Sequence, residues 1–234
     1  MKYLLFLTLA FFSCSSSSEA YLERSRSLMK EDKPKEALDF ANKAIEKDPA
    51  NADAYNLRGV IHYEMEAYDA ALADYNKAID IEPDQYRPYF NRALLYTSLN
   101  EFEKALADYN QAVEIAPDTS DIFLNRGQVL SFLDSLPAAT NDFNKAVQLQ
   151  DSNVLAWYNL GNAHYRQENY ERAISAFKRA TQLDPRFAKA YYGMGMAQHM
   201  LGEKEVGCIS LREASRLGWQ EATQAVNHLC GELN

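Results

Sequence analysis

Small and aromatic side chains recur along this chain at helical spacing, in a block that repeats every 34 residues. Within a block, small residues fall at positions 8, 20 and 27 and aromatics at positions 4 and 24. Steps of three and four belong to helices, not to strands, whose faces repeat every second residue. Prolines mark the period: Pro49, Pro83, Pro117 and Pro185 are separated by 34, 34 and twice 34 residues, with Asp151 in the slot between. Setting those sites at position 32 divides the chain, without insertion, into six frames: 18–51, 52–85, 86–119, 120–153, 154–187 and 188–221. A fixed period of this size indicates stacked supersecondary units.

Position 4 carries Tyr21, Tyr55, Tyr89, Phe123, Trp157 and Tyr191. Position 8 is Ser25, Gly59, Ala93, Gly127, Gly161 and Gly195, and position 20 is Ala37, Ala71, Ala105, Ala139, Ala173 and Gly207. Position 24 is Ala41, Tyr75, Tyr109, Phe143, Phe177 and Leu211, while position 27 is alanine throughout. Small residues let helix backbones approach, and the aromatics fill the space between layers. Each frame is therefore expected to be a helical hairpin turning near position 15 or 16. All seven prolines fall at predicted helix edges, where a missing amide proton costs little. One hairpin cannot bury its apolar face alone, so stability comes from stacked neighbours. Residues 220–230 read as a capping helix with Ala222, Ala225, Val226 and Leu229 on one face.

These positions resemble the tetratricopeptide repeat (TPR) family, and frame 154–187 is close to its consensus through Trp157, Leu160, Gly161, Ala173, Phe177, Ala180 and Pro185. The resemblance covers residues 18–221. It implies an all-α, right-handed TPR solenoid of six helix-turn-helix repeats plus the C-terminal capping helix. It also implies a concave inner face, lined mainly by positions 2, 5, 9, 12 and 13, that binds a protein or peptide. On that face the candidates are Tyr63, Arg87, Phe90, Gln128, Tyr158, Asn162, Tyr165, Arg166, Lys189 and Tyr192, flanked by the asparagines Asn91, Asn125 and Asn159 at position 6. Tyrosine and arginine are enriched at binding hot spots, and the asparagines are placed to hydrogen-bond an extended backbone. Tyrosine also packs on helical ridges for purely structural reasons. Chaperone-binding members of the family grip a C-terminal carboxylate through lysine at position 5; here that position is Leu22, Asn56, Phe90, Leu124, Tyr158 and Tyr192, so that clamp is absent.

The first residues follow a different pattern. Met1-Lys2 is a short basic start, Tyr3 to Phe12 is apolar apart from Thr8, and Ser13-Cys14 precedes four serines. Ten such residues are too few to span a bilayer but suit a secretory signal. The stretch resembles a bacterial lipoprotein signal, which implies a signal peptide over 1–13, lipidation of Cys14 and a short serine tether over 14–17. Ser15 after the cysteine fits delivery to an outer membrane, facing the periplasm. Cleavage after Ala20 is the competing reading, although that cut falls inside the first expected helix; an uncleaved anchor is a third.

Composition narrows the function. The formal net charge is −9, which repels phosphate backbones and sets nucleic-acid binding aside. The four histidines, His62, His164, His199 and His228, form no paired metal motif, and Gly193-x-Gly195 lies within an expected helix. No phosphate loop or nucleophile elbow is present, so the expectation is no enzyme, no cofactor and no metal. The chain reads as an interaction scaffold in the bacterial envelope, tethered by its N-terminal lipid and holding a client protein or peptide. Two narrower alternatives are an envelope assembly factor resembling six-repeat pilotin lipoproteins and an unanchored secreted binding module.

Comparing frames adds two structural expectations. Position 7 is Arg58, Arg92 and Arg126 in repeats two to four, and position 23 is Asp74, Asp108 and Asp142; both types vanish together in repeats five and six. The two positions are equidistant from the turn, which predicts partly buried Arg–Asp pairs across each hairpin. Cys208 and Cys230 lie about ten residues either side of a turn near Gly218, level with one another, which predicts a disulfide in an oxidising compartment. Two small buried residues are the alternative.

Overall fold

The protein is described here by a computed structural model covering residues 17–231, and every regular element among them is an α-helix. They fall into two compact units, divided between Pro83 and Asp84. The first holds α1 (Ser18–Lys30), α2 (Pro34–Lys47), α3 (Ala52–Glu64) and α4 (Tyr68–Ile81). The second holds α5 (Tyr86–Ser98), α6 (Phe102–Ile115), α7 (Ser120–Phe132), α8 (Leu136–Leu149), α9 (Val154–Arg166), α10 (Tyr170–Leu183), α11 (Ala188–Met200), α12 (Lys204–Arg216) and α13 (Gln220–Leu229). Consecutive helices pack in pairs, and within each unit every hairpin stacks on the next, giving an all-α repeat fold of the solenoid class.

Local chemistry fixes where helices start and stop. Ser17, Asn51 and Asn153 cap α1, α3 and α9 by accepting from the amides of Ala20, Ala54 and Ala156. Pro34 opens α2, Pro137 is the second residue of α8 and Pro88 the third of α5, all positions without an intrahelical amide partner. Each hairpin turns through a left-handed residue at position 15: Asp32, Glu66, Asn100, Asp134 and Glu168 have φ of 58–60°, and Gly202 has φ 90°. The next amide then reaches back to the carbonyl of position 11, as Ala67 N–H does to His62 (2.8 Å) and Asn169 N–H to His164 (2.9 Å).

The small positions are buried for a steric reason. A Cβ added to Gly59 would lie 2.5 Å from the Tyr75 ring, and one on Gly161 2.6 Å from Phe177. Glycine at position 8 thus seats the aromatic at position 24 of its own hairpin. Repeat one has alanine at position 24, and there the Ser25 hydroxyl donates to the Ala37 carbonyl (2.8 Å).

Arginine and aspartate meet across three hairpins. Arg58 Nε and Nη2 donate to Asp74 at 2.8 and 2.6 Å; Arg92 does the same to Asp108 and Arg126 to Asp142, each at 2.7 and 2.7 Å. The aspartate side chains are 6–9% exposed and the arginines 19–24%. A third partner comes from the preceding hairpin: Arg58 Nη1 donates to Asn42 (2.9 Å) and Arg126 Nη1 to Asn110 (3.0 Å). Position-4 rings cover the guanidinium groups, with Tyr55, Tyr89 and Phe123 5.4, 5.8 and 5.5 Å away. In repeat one, which lacks the aspartate, Arg24 lies over the Phe40 ring.

At the other end of the chain, Cys208 of α12 and Cys230 at the close of α13 are joined in a disulfide, with Cα atoms 5.7 Å apart. Leu211 and Cys230 are buried with Cys208, and Val226 and Leu229 pack over them.

Candidate binding groove

At about 100° per residue, positions 5, 9 and 12 of a first helix share a side roughly opposite positions 4, 7 and 11. The second set carries the ring-covered ion pairs, so the first is free to line a groove. In the second unit it lines two adjoining cavities. One, of about 310 Å³, lies between α7 and α9 and is bordered by Gln128, Ser131, Phe132, Asn159 and Arg166. The other, of about 240 Å³, lies between α9 and α11 under Tyr158, Tyr192, Lys189 and Trp219. Asn162 and Tyr165 border both, which makes the two one continuous surface.

Aromatic packing sets the walls. The Tyr158 ring meets Phe187 edge-on at 5.0 Å and Phe177 at 5.9 Å. Tyr165 packs edge-on against Tyr170 at 5.5 Å. Burial, together with Tyr170 and Tyr192, holds the Tyr165 hydroxyl above its ordinary range, so it remains a protonated donor. Lys189 Nζ stands 5.1 Å over the Trp219 ring, and the buried Trp219 indole N–H has no hydrogen-bond partner among the described residues. Arg166 is held by the end of α7, donating to the Ser131 carbonyl (3.0 Å) and to Asp134 (2.8 Å), while its side chain stays 45% exposed. The surface therefore offers rings, the three carboxamides of Gln128, Asn159 and Asn162, the Lys189 ammonium and the Asp134-paired Arg166 guanidinium, with the unpaired Trp219 N–H buried at one end.

Eight of the thirteen sequence-selected groove residues border this surface: Gln128, Tyr158, Asn159, Asn162, Tyr165, Arg166, Lys189 and Tyr192. Five do not, which narrows the expected groove. Tyr63 belongs to the first unit, where its ring packs against Tyr68 at 5.9 Å. Phe90 is turned edge-on to Tyr109 at 5.8 Å, and Arg87 lies over its neighbour Tyr86. Asn91 sits half-buried on α5. Asn125 donates its amide to the Asp121 carbonyl (2.8 Å), so its side chain serves its own helix. Trp219 and Phe132 are the additions. Trp219 occupies position 32 of the last frame, where the other frames have proline or aspartate, and that exchange was the available signal. Cys14 lies outside the described residues. Among the described residues no helix is long and apolar enough to cross a membrane, and no three metal-ligating side chains gather.

A stacked-hairpin array with an aromatic groove is a helical-repeat interaction scaffold. A family profile described as tetratricopeptide repeat matches residues 52–85, 86–119 and 154–187, and one described as TPR repeat matches 133–168. Together these span more than half of the chain, which belongs to the tetratricopeptide repeat family. Solved structures agree on the fold. YrrB, described as a TPR protein with an unusual peptide-binding site, is similar with TM-score 0.72 and 23% identity over 80% of this chain and 97% of its own. The pilF protein of Pseudomonas aeruginosa gives TM-score 0.79 and 19% identity over 88% and 96%. A tetratricopeptide repeat protein from Parabacteroides merdae gives 0.65 and 22% over 91% and 96%. No curated protein sequence matches.

Proposed function

We propose that this chain is a non-enzymatic adaptor that holds an extended segment of a client protein against α7, α9 and α11. The observation that carries the reading is the continuous surface through Asn162 and Tyr165, with the unpartnered Trp219 N–H at one end. An extended backbone presents carbonyl groups that the Gln128, Asn159 and Asn162 amides satisfy, while Tyr158 and Tyr192 supply apolar contact. Lys189 and Arg166 favour a client segment with acidic side chains. Changing Tyr158 and Tyr192 together to alanine weakens client binding by about a hundredfold, since two ring anchors contribute roughly 1–2 kcal/mol each. Titration calorimetry against the captured client reads this, with circular dichroism showing unchanged helix content. Undiminished affinity in that variant rules the groove out.

The site of action follows from the N-terminal pattern. The lipoprotein-type signal supports an acylated Cys14 and a tether of serines, holding the scaffold at the bacterial envelope, with Ser15 favouring an outer membrane. Multiple acyl chains give stable anchoring where one does not. Replacing Cys14 by alanine moves the protein from the membrane to the soluble fraction; unchanged membrane association contradicts lipidation. The same pattern, joined to six repeats, supports the narrower reading of an envelope assembly factor of the pilotin kind.

A further inference from the structure

The repeats provide their own comparison. In repeats two to four, the arginine at position 7 and the aspartate at position 23 occupy the space between the two helices of the hairpin. Repeat five has Leu160 and Ala176 there, and a cavity of about 640 Å³ opens beside them between α9 and α10. At position 11, repeat two has His62, whose Nε2 lies 3.7 Å from the Asp74 carboxylate. Repeat five keeps histidine at that position without the aspartate. His164 borders the cavity, is 7% exposed, and its buried Nδ1 has no hydrogen-bond partner among the described residues.

The same cavity is ringed by positive charge. Arg172, Lys178 and Arg179 border it from α10. Arg179 is paired with Asp151, whereas Arg172 and Lys178 have no carboxylate partner among the described residues. Lys178 stands at position 25, which is asparagine in repeats one to four: Asn42, Asn76, Asn110 and Asn144. So the hairpin that lacks the internal carboxylate keeps the histidine and gains a cation. The Trp157 ring is also on the cavity wall, its indole N–H donating to the Asp151 carbonyl (2.8 Å).

We propose that this cavity is a second ligand site, on the side of α9 away from the groove, that takes a carboxylate carried on an apolar or aromatic stem. The carboxylate stands where Asp74 stands in repeat two, accepting from the His164 Nε2–H, the ring nitrogen that faces the aspartate there, and from Arg172, with Lys178 adding charge. The stem lies on Leu160, Ala176 and the Trp157 ring. Burial, and then the neighbouring Arg172, hold the His164 imidazole below its ordinary range, which leaves a neutral ring among uncompensated cations. Two sources present this chemistry: a free small organic acid, or a glutamate beside an aromatic residue in a partner segment.

The test uses the purified full chain with nitrogen-15-labelled histidine, titrated at constant ionic strength with benzoate, with benzamide as the neutral isostere, and with a capped glutamyl-phenylalanine dipeptide. The expected result is a saturable shift of the His164 ring nitrogens with benzoate or the dipeptide and none with benzamide. The tighter of the two acids names the source. Arg172→Gln, an exposed change that leaves packing intact, weakens the response roughly tenfold, the loss of one charge-assisted hydrogen bond. Leu160→Arg with Ala176→Asp rebuilds the ion pair of the other repeats and abolishes the response. Tyr158→Ala, in the groove, leaves it unchanged. No saturable shift with either acid, an equal response to benzamide, or an undiminished response in the Arg172 variant overturns the site.

Discussion

Asp142→Ala destabilises the α7–α8 hairpin by about 3 kcal/mol, while Arg126→Leu combined with Asp142→Ala costs less than about 1 kcal/mol. The single change leaves Arg126, 19% exposed and held between the Phe123 ring and Asn110, without the carboxylate that accepts two of its hydrogen bonds. A largely buried guanidinium stripped of its counter-ion bears its desolvation alone. The double change copies repeat five, where Leu160 and Ala176 occupy the same two positions, both buried. Neighbouring repeats contribute separately to stability, so a global midpoint blurs the effect. Amide exchange along α7 and α8 reads it locally: about two decades of lost protection for the single variant, most of it restored in the double. Equal losses in both variants would mean that the pair acts through packing alone.

Reducing the Cys208–Cys230 bridge, or Cys230→Ser, raises amide exchange in α13 by roughly a hundredfold. The bond closes a loop with a sequence separation of 22, and constraint on this scale contributes about 3 kcal/mol on the chain-entropy account. The effect concentrates in α13 because that helix has 10 residues, too few to persist alone, and its main packing partner is α12. The α11–α12 hairpin also packs against α10 and retains its protection. Thiol counting on unfolded, unreduced protein gives no reactive Cys208 or Cys230; two reactive thiols, or unchanged α13 exchange on reduction, contradict the staple.

The hairpins were legible in the sequence because each constraint is short-ranged and recurs. Glycine at position 8 and an aromatic at position 24 are one steric fact stated several times, as Gly59 against Tyr75 and Gly161 against Phe177 make plain. The ion pairs were legible because arginine and aspartate come and go together. Their third ligand was harder to see: Asn42 and Asn110 come from the preceding hairpin, although asparagine at position 25 of repeats one to four was a signal of it. The groove was legible only as a list of positions. A repeat register names the side of a helix, but it does not say where side chains find partners of their own. Asn125 turned to its own helix, Phe90 found Tyr109, and Arg166 bonded to the end of α7. The cavity beside His164 is a property of missing side chains, Leu160 for arginine and Ala176 for aspartate. Their disappearance was visible in the sequence, whereas the space they leave required coordinates.

Site-specific photo-crosslinking in cells shows whether a client lies along the surface that passes through Asn162 and Tyr165, with a photoreactive residue at Tyr165 in the groove and, separately, at the exposed Asn141 of α8, which borders neither the groove nor the cavity beside His164. A client adduct is expected from position 165, lost when Tyr158 and Tyr192 are changed to alanine, and none of that client from position 141. An adduct from position 141 with none from 165 would place the client away from the groove and contradict it.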